Sequence, residues 1–543
     1  MASGADLAYA PVTSPARRRA YEAAQLWDDS TLPDRVAEWA RLRGDALAVV
    51  DAAGERRHSY AQLHADAMRF ATALAAQGID PGDVVSVQLP NRYEAAVAAL
   101  AVLARGAVLN PLLPNYRARE LGHVFTRARP RAVITPDHYR GFDHVELVRE
   151  VSSSTGHSPW HVVVGETGGD AQLAEILDRT ALPRADSVTR AAGNVSELIF
   201  TSGTEALPKA ILHSEQTANF SVRVAYEDLG MSTADVVWMP SPVGHSTGFN
   251  YGLRFALYHG LPLVLQDEWD AEVAADLVAR EGCTYTLAAT TFLQDLLRAA
   301  ERKPERTRSL RRFGCGGAPV PPELVEAAHD LGIGVLRLYG STEVLVGTWN
   351  RPDAPLEKRM YTDGVAMGHV EVACMREDGS HCDADEPGEI ITRGPNTSIG
   401  LFEDPERTAA IFDAEGWVRS GDQGVIDADG YLSVVGRIKE IIIRGGLNIA
   451  PREIEDLLLR LPEVERAAVV GLPDPRLGER SCACLVLRAD ATLTLPELCD
   501  RLLADGLAKY KLPEQIEIFD ALPQTASGKI QKHRILDELK GRE

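Results

Sequence analysis

Cysteine is scarce in this sequence: seven residues in 543, at positions 283, 315, 374, 382, 482, 484 and 499, odd in number and scattered. Such a set excludes a disulfide-stapled scaffold and suits a reducing cytoplasm. Cys482 and Cys484 share one face of an expected strand, yet no further ligands stand nearby to complete a zinc site, so they read as small buried apolar residues. Long apolar runs are also missing. The longest, residues 95–104, is bounded by Glu94 and Arg105. It falls short of the roughly 20 residues that cross a bilayer and predicts a buried helix instead. The segment up to Tyr21 lacks a basic stretch followed by an apolar core, so no signal peptide is expected. Nor is there an excess of basic charge. Lys and Arg number 57 against 78 Asp and Glu, a net charge of −21, which disfavours nucleic acid and anionic membranes as partners. No repeat or low-complexity tract is visible. A soluble cytoplasmic protein is the expectation, with no membrane or nucleic-acid partner; its oligomeric state is not readable.

What is present is ordinary globular composition, 45% hydrophobic and 25% charged. From about residue 84 to 338, short β-branched runs alternate with Ala/Leu-rich helical patterns. Strands are predicted over 83–88, 132–135, 197–200, 236–239, 262–265, 285–288 and 334–338, with helices over 93–104, 271–280 and 292–299. That alternation predicts an α/β fold: a large N-terminal domain, residues 1–438, of helix-covered parallel sheets. Residues 368–436 change to short strands and Gly/Asp turns, a β-rich subdomain with strands at 389–392, 417–419, 424–426 and 431–435. Residues 439–543 read as a small, mobile α+β C-terminal domain, joined through a short charged segment. Ligands of parallel sheets gather beyond the carboxyl ends of the strands, so those positions carry the search. The basic stretch 302–312 reads as a solvated helix end, with a phosphate contact as the alternative.

Four segments stand out. Thr201-Ser202-Gly203-Thr204-Glu205-Ala206-Leu207-Pro208-Lys209 follows a predicted strand and offers hydroxyls, a glycine and a lysine, the equipment of a polyphosphate loop or else a polar surface turn. It is not a Walker A sequence. Tyr339-Gly340-Ser341-Thr342-Glu343 sits where a Thr meets a phosphate oxygen and a carboxylate a divalent cation, or where a helix is capped. Ser420-Gly421-Asp422 with Gly436-Arg437 suits a ribose, or a pair of turns with a surface ion pair. Lys529, after Gly528, is either a lysine that swings into a site built by another domain or a solvated tail charge.

In this order and spacing, the four segments resemble the acyl-adenylating superfamily of acyl- and aryl-CoA synthetases, peptide-synthetase adenylation domains and beetle luciferases. The likeness spans residues 60–532. It implies that Thr201, Ser202, Gly203, Thr204 and Lys209 cradle the ATP β- and γ-phosphates, and that Gly316, Gly317, Ala318 and Pro319 lie along adenine. Tyr339 would stack on the base beside Gly340 and Ser341, Thr342 would contact the α-phosphate, and Glu343, with Thr204, would ligate Mg²⁺. Asp422 and Arg437 would hold the ribose. Lys439 occupies the hinge position, Lys529 is the mobile catalytic lysine, and His245 aligns with a gate beside the substrate carboxylate. Gly445 and Gly446 would border the pantetheine tunnel. Two departures are visible: Glu205 and Ala206 stand where the family has Thr-Gly, with Ala210 for the final glycine, and the hinge reads Lys-Glu.

The implied activity is ATP-dependent adenylation of a carboxylic acid followed by thioester formation with coenzyme A. The cofactors are ATP, Mg²⁺ and coenzyme A. The first step must let two anions react at phosphorus, so the site has to supply positive charge. The acyl pocket is expected from Trp238, residues 245–251, 290–292, Gly316 and 344–346, which are mostly apolar; residues 241–250 and 110–120 resemble ligases for cyclic or medium-sized carboxylates, which implies an alicyclic, aryl or short branched acid. Transfer to a carrier-protein thiol or an amine, and a non-catalytic nucleotide-binding homologue, are the alternatives.

Overall fold

The computed structural model describes residues 12–51, 54–182, 191–201, 208–317, 320–444, 447–525 and 529–542. Ser202, Gly203, Thr204, Ala318, Pro319, Gly445 and Gly446 therefore lie outside the described residues.

Two large sheets form the bulk of the chain. One has nine strands, and its interior six (Gly334–Ser341, Arg312–Gly316, Tyr285–Ala288, Val237–Met239, Leu263–Leu265 and Leu47–Asp51) run parallel. Antiparallel strands close both edges. The other has eight strands, parallel from Val195–Phe200 outward through Val108–Pro111, Val84–Val87, Ala132–Pro136 and Trp160–Val164. The apolar run predicted as a buried helix is Tyr93–Arg105, in which every residue from Ala95 to Ala104 is buried. It is apolar all round because it lies in a core shared with strands of both sheets. Gly106, in the left-handed conformation, ends it.

The β-rich segment is a four-stranded antiparallel sheet of Glu371–Met375, Gly388–Arg393, Val418–Ile426 and Leu432–Arg437. The two short strands expected at 417–419 and 424–426 are one continuous strand. Gly421, at φ 72°, and a register shift at Gln423/Gly424 make a bulge rather than a reversal. Likewise the strand expected to stop at Leu338 continues through Ser341 and returns as Leu345–Trp349. The Tyr339–Glu343 segment is thus the tip of a hairpin, and the helix-cap alternative is excluded.

A single 3₁₀ turn, Ile438–Glu440, leads from this sheet into a five-stranded C-terminal sheet with its own two apolar clusters. That unit docks on the rest through Arg460–Glu323 at 3.4 Å and Arg452–Asp363 at 3.8 Å. Asp363 is already bonded by Arg337 at 2.9 Å and by the Val434 amide at 3.0 Å. Lys532, at the start of the last helix, bridges Glu440 at 3.0 Å and Glu455 at 2.8 Å. Against the pull of burial, those two carboxylates raise its pKa.

Arg254 ends a π-helical turn, Phe249–Arg254, and is fully buried. Its guanidinium bonds Glu197 at 2.6 Å, Glu215 at 2.7 Å, Asn219 at 2.5 Å and Asn250 at 3.0 Å. In the basic stretch 302–312, Arg302 and Lys303 stand exposed at the end of the helix Thr290–Glu301, as expected of a solvated helix end, while later arginines are ion-paired. Arg306 is tied to Glu272 and Asp276, and Arg311 and Arg312 to Asp235. All seven cysteines are free, and Cys482 and Cys484 are buried with their sulfurs 3.9 Å apart. Among the described residues, no helix is long and apolar enough to cross a membrane.

Candidate active site

Thr201 follows the wholly buried strand Val195–Phe200, and Lys209 precedes its antiparallel partner Ala210–Ser214. The Thr201 amide donates to the Lys209 carbonyl at 2.9 Å, which draws the two ends of the intervening loop together. Residues 209, 211 and 213 share one face of the extended chain. On that face Lys209 Nζ lies 3.5 Å from Glu343 Oε1, and His213 Nε2 lies 2.7 Å from the Thr342 carbonyl oxygen. A carbonyl only accepts, so Nε2 carries the proton and Nδ1 accepts from the Thr217 hydroxyl at 3.0 Å. Burial pushes the His213 pKa down to about 4, which matches that neutral tautomer.

The hairpin tip bearing Thr342 and Glu343 is held from several sides. The Ser398 amide donates to the Glu343 carbonyl at 2.7 Å. The Asn396 amide bonds the carbonyls of Val344 at 2.6 Å and Val346 at 2.9 Å, and the Val346 amide donates to the Tyr251 hydroxyl at 2.8 Å. Leu345 takes the left-handed conformation, φ 54°. Gly340 is required here, since a β-carbon would sit 2.0 Å from the Leu345 oxygen.

Across the cleft, the Gly421 bulge re-aims Asp422. Its carboxylate accepts from the Tyr339 hydroxyl at 2.8 Å and meets Nε of its cross-strand partner Arg437 at 3.2 Å. Burial raises the Asp422 pKa, with Arg437 opposing. Lys529 enters from the C-terminal unit, held by two bonds to Thr525: its amide to Oγ1 at 3.1 Å and the Thr525 amide to its carbonyl at 2.7 Å. Its side chain is surrounded by protein yet faces the open cavity, so it stays wetted. Burial and Arg437 lower its pKa, while Asp422 and Glu343 pull the other way. A β-carbon on Gly317 would lie 3.6 Å from Lys529 Cε, at a φ of 79° that favours glycine. His245 caps a short helical turn, its Nδ1 accepting the Thr247 amide at 3.2 Å. Burial and the Lys529 ammonium push its pKa down to about 4, so it is neutral at pH 7.

One cavity of about 910 Å³ joins these groups. Thr201, Lys209, His245, Gly317, Tyr339, Gly340, Ser341, Thr342, Glu343, Asp422, Arg437 and Lys529 all line it. Gly316 is not part of that lining, and a β-carbon on it would sit 2.5 Å from the Leu338 carbonyl oxygen; Lys439 is exposed on the joint. Part of the expected acyl pocket is corrected. Trp238 points into the core, bonded to Gln266 at 3.2 Å and stacked on Trp269. Phe292 packs edge-on against Trp269, and Tyr251 and Val344–Val346 are spent on bracing the hairpin. Leu113, Tyr116, Phe200 and Gln294 line the cavity instead, beside Thr290 and Thr291, which the sequence did indicate. Of the missed residues, Phe200 had a usable signal, being the last residue of a parallel strand.

Residues 36–402 match the family model described as AMP-binding enzyme, and residues 453–529 match the AMP-binding enzyme C-terminal domain. The chain is 37% identical to the medium-chain fatty-acid–CoA ligase of Escherichia coli K12 over 95% of this chain and 92% of that one. It is 34% identical to a salicylyl-CoA synthase / salicylate adenylyltransferase of a Streptomyces species, over 96% of each. The ATP-bound crystal structure of MatB from Rhodopseudomonas palustris superposes with a TM-score of 0.85 at 28% identity, covering 94% of this chain and 99% of that one.

Proposed function

The chain belongs to the AMP-binding enzyme family, and from that premise we propose that it is an AMP-forming acid–thiol ligase. It adenylates a carboxylic acid with ATP, releasing pyrophosphate, and passes the acyl group to coenzyme A. The observation that carries this reading is the convergence of Lys209, Glu343, Asp422, Arg437 and Lys529 on one cavity. A carboxylate is a poor acyl donor, and its attack on the α-phosphorus brings two anions together. The Lys529 ammonium offsets the charge that develops there, Thr342 contacts the α-phosphate, and Lys209, with the loop from Thr201, holds the outer phosphates. Asp422 and Arg437 hold the ribose, and Tyr339 with Gly317 flanks the base. His245, neutral, closes the cavity beside the acid without adding charge.

Among the described residues no group of three His, Cys, Asp or Glu can hold a metal. A single partly exposed carboxylate at Glu343 fits Mg²⁺, which commonly binds through one or two carboxylates plus substrate phosphates. When bound there, with Thr204 as a second contact, the ion adds positive charge at the phosphates.

For the acid, a cyclic, aryl or short branched carboxylate is supported by the apolar wall of Leu113, Tyr116 and Phe200 together with the similarity to a salicylyl-CoA synthase. Such a wall separates homologues by only roughly 1–3 kcal/mol per methylene. For transfer, Lys529 must leave the cleft to admit a thiol. Residues 439–543 turn as the mobile domain about Lys439 and bring Gly445 and Gly446 to the pantetheine. Lys439→Pro is expected to keep adenylation and block thioester formation; equal loss of both steps defeats the hinge assignment. Seven free thiols support a cytoplasmic setting.

The deciding experiment is carboxylate-dependent ATP–pyrophosphate exchange across a panel of acids with Mg²⁺. Exchange with cyclic or aryl acids is expected, and no exchange with any acid refutes the reading. Product mass with coenzyme A, a carrier protein or an amine offered in turn identifies the acceptor.

A further inference from the structure

We infer that His213 is a positioning residue for adenylate formation, acting through the main chain of Thr342 to aim Thr342 and Glu343 into the cavity. This rests on the adenylation reading above. The imidazole is fully buried and its two nitrogens are engaged, Nε2–H by the Thr342 carbonyl at 2.7 Å and Nδ1 by Thr217 at 3.0 Å. Fixing one carbonyl fixes the plane of the peptide that links residues 342 and 343, and hence the direction in which both side chains leave the chain. The tip needs that restraint. The sheet register slips between Tyr339 and Gly340, and Leu345 sits in a left-handed conformation that costs a non-glycine residue. Asn396, Tyr251 and Ser398 hold residues 343–346. Among the described residues, His213 is the side chain that holds residue 342. It also stands four residues beyond Lys209, which immediately precedes the strand Ala210–Ser214, so the segment that delivers the lysine also bears the histidine bonded to the hairpin tip that the lysine faces.

The test compares His213→Leu, His213→Gln and His213→Asn in the full chain. Gln places an amide nitrogen near the position of Nε2, whereas Asn is too short. Relative to wild type, H213L is expected to lose on the order of 10²-fold in kcat for pyrophosphate exchange, the scale of a small misplacement of reacting groups. The KM for the acid is expected to change little. H213Q recovers most of the rate and H213N does not. Thioester formation from supplied acyl-adenylate stays near wild type in all three. Binding of Mn²⁺–ATP, followed by calorimetry without the acid, weakens in H213L and recovers in H213Q. Wild-type exchange in H213L overturns the inference, as does equal loss of both half-reactions or failure of a folded H213Q to recover. Should H213L not fold, the contrast of Gln with Asn decides. Wild-type protein inert with every acid defeats the adenylation reading, whereas an active wild type with an equally active H213L defeats only this inference.

Discussion

Two cations inside this molecule are treated in opposite ways. Arg254 is fully buried and bonds two carboxylates and two amide oxygens at 2.5–3.0 Å. Lys529 stands in the cleft with Glu343 and Asp422 felt only at a distance, and Arg437 pressing on it as a like charge. The first arrangement satisfies its charge and ties the π-helical turn after His245 to the strand that ends at Phe200. The second leaves its charge unmatched, ready for an anion. Satisfied charge makes scaffold; unmatched charge makes a site.

The largest way to break that contrast is Arg254→Met. It strands Glu197 and Glu215 in the core and is expected to cost about 3–5 kcal/mol of stability, read by chemical denaturation. If Arg254→Met leaves the protein as stable as before, the cluster is not scaffold. Next, Lys529→Ala should lower pyrophosphate exchange by about 10²–10³-fold with ATP affinity little changed. Its stability should not fall. The folded state binds that proton less tightly than the unfolded chain does, so the ammonium opposes folding at neutral pH, and this opposition is relieved as pH rises through the lowered pKa. A destabilised Lys529→Ala would put the lysine in the scaffold class. A smaller effect is on pH. The ammonium is lost on the alkaline side, so kcat/KM for exchange should decline below the 10.5 of an ordinary lysine. In Lys529→Arg the residual activity should lose that limb, since a guanidinium does not titrate there. Smallest is Arg460→Ala, which removes an exposed interdomain pair and should change stability by no more than ~1 kcal/mol.

The sequence made the chemistry legible and the walls less so. Thr201, Tyr339–Glu343 and the Asp422–Arg437 pair were legible only as a set: each alone also suits a turn, a cap or a surface ion pair, and their order and spacing singled out residues that the structure brings to one cavity. The parallel core was readable from strand–helix alternation. Trp238 and Tyr251 misled because an apolar residue near a site has the same composition whether it faces the cavity or the core; only the packing partner, Trp269 for one and Ser221 for the other, decides. Gly421 misled in the same way, since a glycine between polar residues signals a turn and a bulge alike. His213 carried no signal, lying in a strand whose burial is set by long-range packing.

The double grip of Lys532 on Glu440 and Glu455 bears on how Lys529 would travel. Two residues separate the two lysines, and the grip fastens the chain's final helix to the joint and to the first helix of its own unit. Lys529 is therefore carried less like a weight on a string than like a pawl on a crank. On the rotation proposed above, an angle turned at Ile438–Glu440 would be passed to the ammonium through that grip, so that arming and withdrawal would be one stroke.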